Sequence, residues 1–484
     1  MSPSLAQAGA RGGFQTLASQ ALVLVVKCAS IVILARLVGP VEYGIAAIAT
    51  SIATFATSIV LLGFGMATVQ ARSVSQNAKS ALFYINAFMG TLAAGALLAI
   101  AGPISKAYES PELQSLIAIL AVAPFVTGIL SQPRVLLVRE LKTGILSLTD
   151  VVSVFVALCA AVATALAGHG LEALAVQFIT QPTVQMIMVI AASRWVPTSP
   201  FGASTEVRRL ARVGAEIFGM NASANLSRAA LVPVLGLTVA DNALGNFDRA
   251  NQIANLPSSV VIDQLQRVVV PVLSRVHDQP DRYQRYSRSF NIVVGYLVAG
   301  MFMYIAAISP DATAIVLGPG WSLAGPLLGF LSIAYLFRTL AQTTRWAYIA
   351  TGNTRSGLIL NAWMQPAAVA LTLVGIPWGA LGIAIAHAIV WMMLWPISVL
   401  LLRQSTGATY ESSLFPAIRG ATLFAPGSIC CVSLSFFTQD LSPLISILML
   451  TLVFIAGTLV TLVASRKIRR DVREIIHIAR LIRD

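Results

Sequence analysis

Between Ile33 and Ser73 the chain reads ILARLVGPVEYGIAAIATSIATFATSIVLLGFGMATVQARS. Two apolar runs flank one short polar turn, Gly39-Pro40-Val41-Glu42-Tyr43-Gly44. The run before the turn begins near Phe14 and carries Lys27 near its middle, with Arg36 at its end beside the turn. About 20 mostly apolar residues cross a bilayer as a helix, which satisfies its own backbone polar groups where water is absent. The stretch therefore predicts two membrane-spanning helices joined by a tight turn, with a lysine at mid-depth in the first.

The rest of the chain continues the pattern. Hydrophobic residues make up 57% of the 484 and charged residues 11%, against about 25% charged in a soluble domain. No polar stretch reaches the roughly 50 residues that a separate soluble domain needs, which excludes an anchored soluble enzyme. The first apolar run exceeds a signal h-region of roughly 7–15 residues and is read as an uncleaved helix. Cys28, Cys159, Cys430 and Cys431 lie in apolar runs without a C-x-x-C spacing and are read as ordinary buried residues.

Fourteen spanning segments are predicted, from 14–38 to 442–464, with the seventh (213–239) and eighth (246–272) the most polar. Lys and Arg placement orients them. With the N-terminus inside, 24 basic residues fall on inner loops and tails, three on outer loops and five within spans. A wrong helix count would scramble that alternation. The net charge of +13 is thus a topology signal and gives no reason to expect nucleic-acid binding. Both termini are expected in the cytoplasm.

The chain also repeats at an offset of 201 residues, which carries Gly44 onto Gly245. The expected fold is an all-α polytopic membrane protein: two pseudo-symmetric six-helix lobes, 1–193 and 213–403, joined by a cytoplasmic loop, 194–212. Two extra helices follow over 404–465, then a basic amphipathic cytoplasmic tail over 466–484. The tail reads as a surface helix on the anionic inner leaflet or as a solvated topology anchor.

No catalytic, metal-ligating or nucleotide-binding pattern is present, so no enzyme activity and no cofactor are expected. Energy would come from a sodium or proton gradient, the membrane potential or the substrate gradient. Chemistry is left to polar residues inside the spans, which are costly in hydrocarbon and tend to face a cavity or a partner. The offset carries Lys27 onto Arg228 and Gln20 onto Asn221, so each half places an amide and then a cation two turns apart on its first helix. Asn225 lies in the same seventh span. Arg338 is central in the tenth span, and Arg345 lies two turns on along the same face as a further contact or an interface anchor. These seven residues are the candidate substrate contacts. Asp263 and Arg267, i and i+4 in the eighth span, are either a neutralising structural pair or an ion-coupling site.

The turn LARLVGPVEYGIAAIA (34–49), then LLGFGMATVQ (61–70), and LGNFDRANQIANLPSSVVIDQLQRVVVPVLSR (244–275) resemble the polysaccharide flippases of the multidrug/oligosaccharidyl-lipid/polysaccharide exporter superfamily. The resemblance implies a V-shaped, two-lobed transporter in the bacterial inner membrane. It implies a polyprenyl-diphosphate-linked oligosaccharide as substrate, flipped outward by alternating access for exopolysaccharide or O-antigen synthesis. Partners would be membrane lipids, the polysaccharide polymerase and the chain-length machinery. A cation-lined lumen suits a diphosphate independently of the resemblance. Two other readings stay open: a multidrug exporter of the same superfamily, expected to use embedded carboxylates, and a membrane assembly protein with no transport cycle.

Overall fold

A computed structural model describes residues 5–61, 65, 68, 69, 71, 73–199, 205–212, 230–406, 410–438 and 440–483. Among them every regular element is a helix. By internal contacts the chain divides into two units, Met1–Gly245 and Asn246–Asp484.

The first unit holds α1 (Leu5–Leu37), α2 (Pro40–Val60), α3 (Gln76–Ala107), α4 (Glu112–Leu120), α5 (Val122–Arg139), α6 (Thr143–Leu166) and α7 (Gly170–Ser193). Local chemistry sets several starts. Pro40 stands at the first helical position of α2, where a missing N–H costs nothing. Ser75 caps α3 by accepting from the Ala78 N–H at 3.2 Å. The fourth expected span is two helices, broken at Ala121. Pro124 has no N–H to give the carbonyl four residues earlier, so the ladder cannot run through unbroken.

α8 (Asp241–Arg275) begins in the first unit and continues into the second. The second unit continues with α9 (Pro280–Val316), α10 (Ala324–Ala350), α11 (Thr354–Thr372), α12 (Gly379–Thr406), α13 (Tyr410–Ser435), α14 (Pro443–Ala464) and α15 (Arg466–Arg483). A 3-10 turn, Leu373–Trp378, joins α11 to α12. Helices here approach closely through glycine. A Cβ on Gly420 would lie 2.8 Å from the Gly295 carbonyl oxygen, and one on Gly457 would lie 2.6 Å from Gly427 Cα. Small residues at such crossings let backbones meet where no hydrophobic force separates helix from lipid. The outer side of α14 carries Leu444, Leu448 and Leu452, all about two-thirds exposed, as expected of a lipid-facing surface.

Eleven stretches among the described residues are long and apolar enough to cross a membrane, against the fourteen expected. The eleventh and twelfth spans fall in one continuous apolar stretch, Arg355–Gln404, made of α11, the 3-10 turn and α12. The eighth forms a long helix, α8, whose Asn, Gln and Asp content keeps it below that apolar threshold. Most of the seventh lies outside the described residues; 230–236 is its visible helical end. The expected chain-wide helical architecture is present, and fourteen is not the number of apolar stretches.

Three local expectations change. Cys28, Cys159 and Cys430 are exposed, and only Cys431 is buried, because a residue in an apolar run can face lipid as readily as core. Within the inter-lobe segment, described over 194–199 and 205–212, side chains dock on α3. Glu206 accepts from the Ser75 N–H (3.1 Å) and hydroxyl (2.6 Å), and the Trp195 indole donates to Gln76 at 3.0 Å. Leu210 is buried against Leu82 within a short helix over 205–212. The tail, α15, turns its apolar side to protein: Ile468, Val472 and Ile475 pack against Ile292, Tyr296 and Leu423.

The repeat offset reappears as geometry within the first unit. A Cβ on Gly44 would fall on the backbone carbonyl of Asp241, and a Cβ on Gly245 on that of Pro40. Residues 40 and 241, like 44 and 245, are 201 apart. The N-terminal turns of α2 and α8 therefore touch reciprocally.

Candidate functional site

The first span of α1 covers Ala18–Leu37. Lys27 is near its centre, about 15 Å from either end at 1.5 Å per residue. Its side chain is exposed, and among the described residues no carboxylate or hydrogen-bond acceptor partners it. A lysine stem cannot carry its ammonium that far to water. Gln20, seven residues earlier, is exposed as well, so the amide and the cation of α1 share a face as expected. Beside them, Gln177 of α7 donates to the buried Ser30 hydroxyl of α1 at 2.5 Å.

Arg338 is placed by α10, which packs against α12. Its guanidinium lies 5.2 Å from the Tyr335 ring centroid and 5.6 Å from that of Trp391. Among the described residues it meets these two rings and no carboxylate. Cation–π contact of this kind holds a guanidinium in place while leaving its N–H donors available. Both rings are buried, and the Trp391 indole N–H has no acceptor among the described residues. Tyr335 is fixed by donating its hydroxyl to Asn251 of α8 at 3.0 Å. Thr372 of α11 meets His387 Nδ1 of α12 at 3.0 Å, and that imidazole packs edge-on to Trp391. The result is a half-buried cation braced by two aromatic rings, one of which carries an indole N–H without an acceptor among the described residues.

Arg345 is exposed, two turns along α10. Arg267 is exposed on α8, and the side chain of Asp263 lies outside the described residues, so their pairing does too. Asn221, Asn225 and Arg228 also lie outside the described residues.

Sequence reasoning missed one embedded network. Asp150 of α6 takes Arg134 of α5 at 2.9 Å and accepts from Gln185 of α7 at 3.1 Å. The signal was present in the sequence: opposite charges at similar depth on consecutive antiparallel spans. This carboxylate is neutralised within the protein, in contrast to Lys27 and Arg338. Outside the spans, burial and then the nearby Glu112 hold the Asp241 carboxyl above the usual carboxylate range. Burial likewise raises the Tyr108 phenol, which donates to the Pro233 carbonyl at 2.7 Å.

Residues 33–326 match the family model described as polysaccharide biosynthesis protein. The chain is 24% identical to the succinoglycan biosynthesis transport protein ExoT of Rhizobium meliloti, over 81% of this chain and 78% of that one. It is 22% identical to the lipopolysaccharide biosynthesis protein WzxC of Escherichia coli, over 64% of this chain and 63% of that one. Among solved structures, the lipid II flippase MurJ in an inward closed conformation aligns with a TM-score of 0.71, covering 92% of this chain and 98% of that one at 13% identity. At that identity the likeness is one of fold.

Proposed function

This chain belongs to the polysaccharide biosynthesis protein family, and on that premise we propose that it flips polyprenyl-diphosphate-linked oligosaccharide units across the bacterial inner membrane. The units would feed exopolysaccharide or O-antigen assembly and pass to the polymerase and chain-length machinery. The relatives named for succinoglycan transport and lipopolysaccharide biosynthesis support the cargo class, and the fold shared with a lipid II flippase supports the mode of movement. The chain carries its cargo without breaking a bond in it.

The observation that carries this reading is the pair of embedded cations without acid partners, Lys27 and Arg338. An unpaired cation at bilayer depth costs roughly 3 kcal/mol on insertion scales, which favours a use for it. A diphosphate supplies the counter-charge, and charge-assisted hydrogen bonds to its oxygens are strong. Lys27 acts as a compact point charge. Arg338 offers a planar fork whose direction Tyr335 and Trp391 set. Arg228, related to Lys27 by the repeat offset, is assigned the same role, with Gln20, Asn221, Asn225 and Arg345 as polar neighbours of the path. Alternating access, driven by a sodium or proton gradient or by consumption of the flipped product, completes the cycle. A cationic drug would call for free embedded carboxylates, whereas Asp150 is taken by Arg134.

The test is complementation of a strain deleted for this gene, with lipid-linked glycan measured on each side of the membrane. Lys27→Gln, Arg228→Gln and Arg338→Gln are each expected to leave intermediate on the inner side at wild-type protein abundance. Normal export by all three would overturn the assignment of these cations.

A further inference from the structure

α15 uses its charges unequally. Its two described carboxylates both turn toward the protein. Asp471 is 1% exposed. It accepts from Arg419 Nε of α13 at 2.5 Å and from Arg419 Nη2 at 3.3 Å. It also accepts from the Tyr296 hydroxyl of α9 at 3.1 Å and lies 3.8 Å from Arg288. Glu474 accepts from the Ser289 hydroxyl at 2.7 Å. With Ile468, Val472 and Ile475 packed on α9 and α13, this fixes which way the helix faces.

At about 100° per residue, Arg466, Arg469, Arg470 and Arg473 fall on the other side, and Lys467, one turn before Asp471, lies at its flank. All five are exposed, and none has an ion-pair partner among the described residues. The outward face is therefore cationic without compensation. One non-helical residue, Ser465, separates it from the end of α14, an apolar span. That places the face at the bilayer surface, within a Debye length of lipid phosphates.

We propose that α15 is a docked helix, oriented by the buried Asp471, that binds anionic phospholipid headgroups through this face. An interfacial amphipathic helix inserts its apolar side into lipid; here that side is occupied by protein, so the attraction is electrostatic and indifferent to which anionic lipid supplies the charge. The proposal is independent of the transported cargo.

Full-length protein is reconstituted in nanodiscs of phosphatidylcholine with a minor fraction of phosphatidylglycerol, and the lipids retained after extraction are counted by native mass spectrometry. The wild type is expected to enrich phosphatidylglycerol and to lose that enrichment in high salt. Replacing the five cations with Gln is expected to weaken enrichment by about fivefold per charge at low salt, with an unchanged melting temperature in pure phosphatidylcholine discs. Replacing the four arginines with Lys keeps it. Asp471→Asn lowers both the melting temperature and the enrichment, because the face is no longer held outward. Should the five-site variant not fold, the pair Arg469→Gln and Arg473→Gln reads the same effect. Wild-type enrichment in a folded Gln variant, or its loss in the all-Lys variant, would overturn the proposal.

Discussion

A single methyl group is decisive at Gly44 and Gly245. Each faces a backbone carbonyl across a helix crossing, and backbone yields less easily than the end of a side chain. Overpacking typically costs about 1–3 kcal/mol. Gly44→Ala and Gly245→Ala are each expected to lower the melting temperature of the purified protein. Gly95→Ala is the control: its Cβ would meet nothing within 4 Å, and alanine gains about 1 kcal/mol over glycine in a helix. Equal melting temperatures for all three would argue against the close crossing. The embedded cations make a second prediction at this scale. Arg338→Lys is expected to export less than wild type and more than Arg338→Gln, because an ammonium keeps the charge but not the planar fork. Lys27 and Arg338 were legible from position alone, since a charge at mid-span stands out against any apolar run. The rings that brace Arg338 were not legible. Tyr335 is a near neighbour in sequence, but Trp391 reaches it only through the packing of α10 on α12.

The segments that join or follow the spans prove to be docked elements. The 194–212 segment is held to α3 by Glu206, which accepts two hydrogen bonds from Ser75. Charge-assisted bonds at an exposed site contribute on the order of 1 kcal/mol. Glu206→Ala is expected to speed trypsin cleavage at Arg208 and Arg209 by about fivefold through easier local opening, without lowering the melting temperature of the whole protein. An unchanged cleavage rate would mean that Leu210 against Leu82 holds the segment unaided. Deleting α15 after Ser465 uncovers Ile292, Tyr296 and Leu423. Protein abundance is expected to fall more than export per molecule does, as quantitative blotting beside the complementation assay would reveal. Composition marks out both elements, one as a polar stretch and the other as a basic amphipathic one. It could not say where either would dock, because the partners lie on helices distant in sequence.

For the whole molecule, the asymmetry of Lys and Arg predicts the orientation. An alkaline phosphatase fused after Arg403 is expected to be inactive and one fused after Asp440 active, with both termini cytoplasmic. The reverse pattern would sink the fourteen-span assignment. The eleven apolar stretches do not contradict it. Two spans merge into one stretch across a 3-10 turn, one is too polar to register, and one lies mostly outside the described residues.

The sequence by itself determined that the chain is helical and membrane-spanning, because hydrocarbon leaves backbone polar groups no partner but one another. It also determined the depth of each charge, since rise per residue converts position into depth. The repeat offset was legible too, and the reciprocal contact of Gly44 and Gly245 gives it a place in space. Tertiary structure alone decided which charges are spent. Asp150 and Asp471 look as available in the sequence as Lys27 does, yet each is neutralised by an arginine from another helix. Exposure of Cys28, Cys159 and Cys430 was decided at the same level. Composition fixes the solvent a helix lives in, but the packing of one helix on another decides which face meets lipid and which charge keeps a free side.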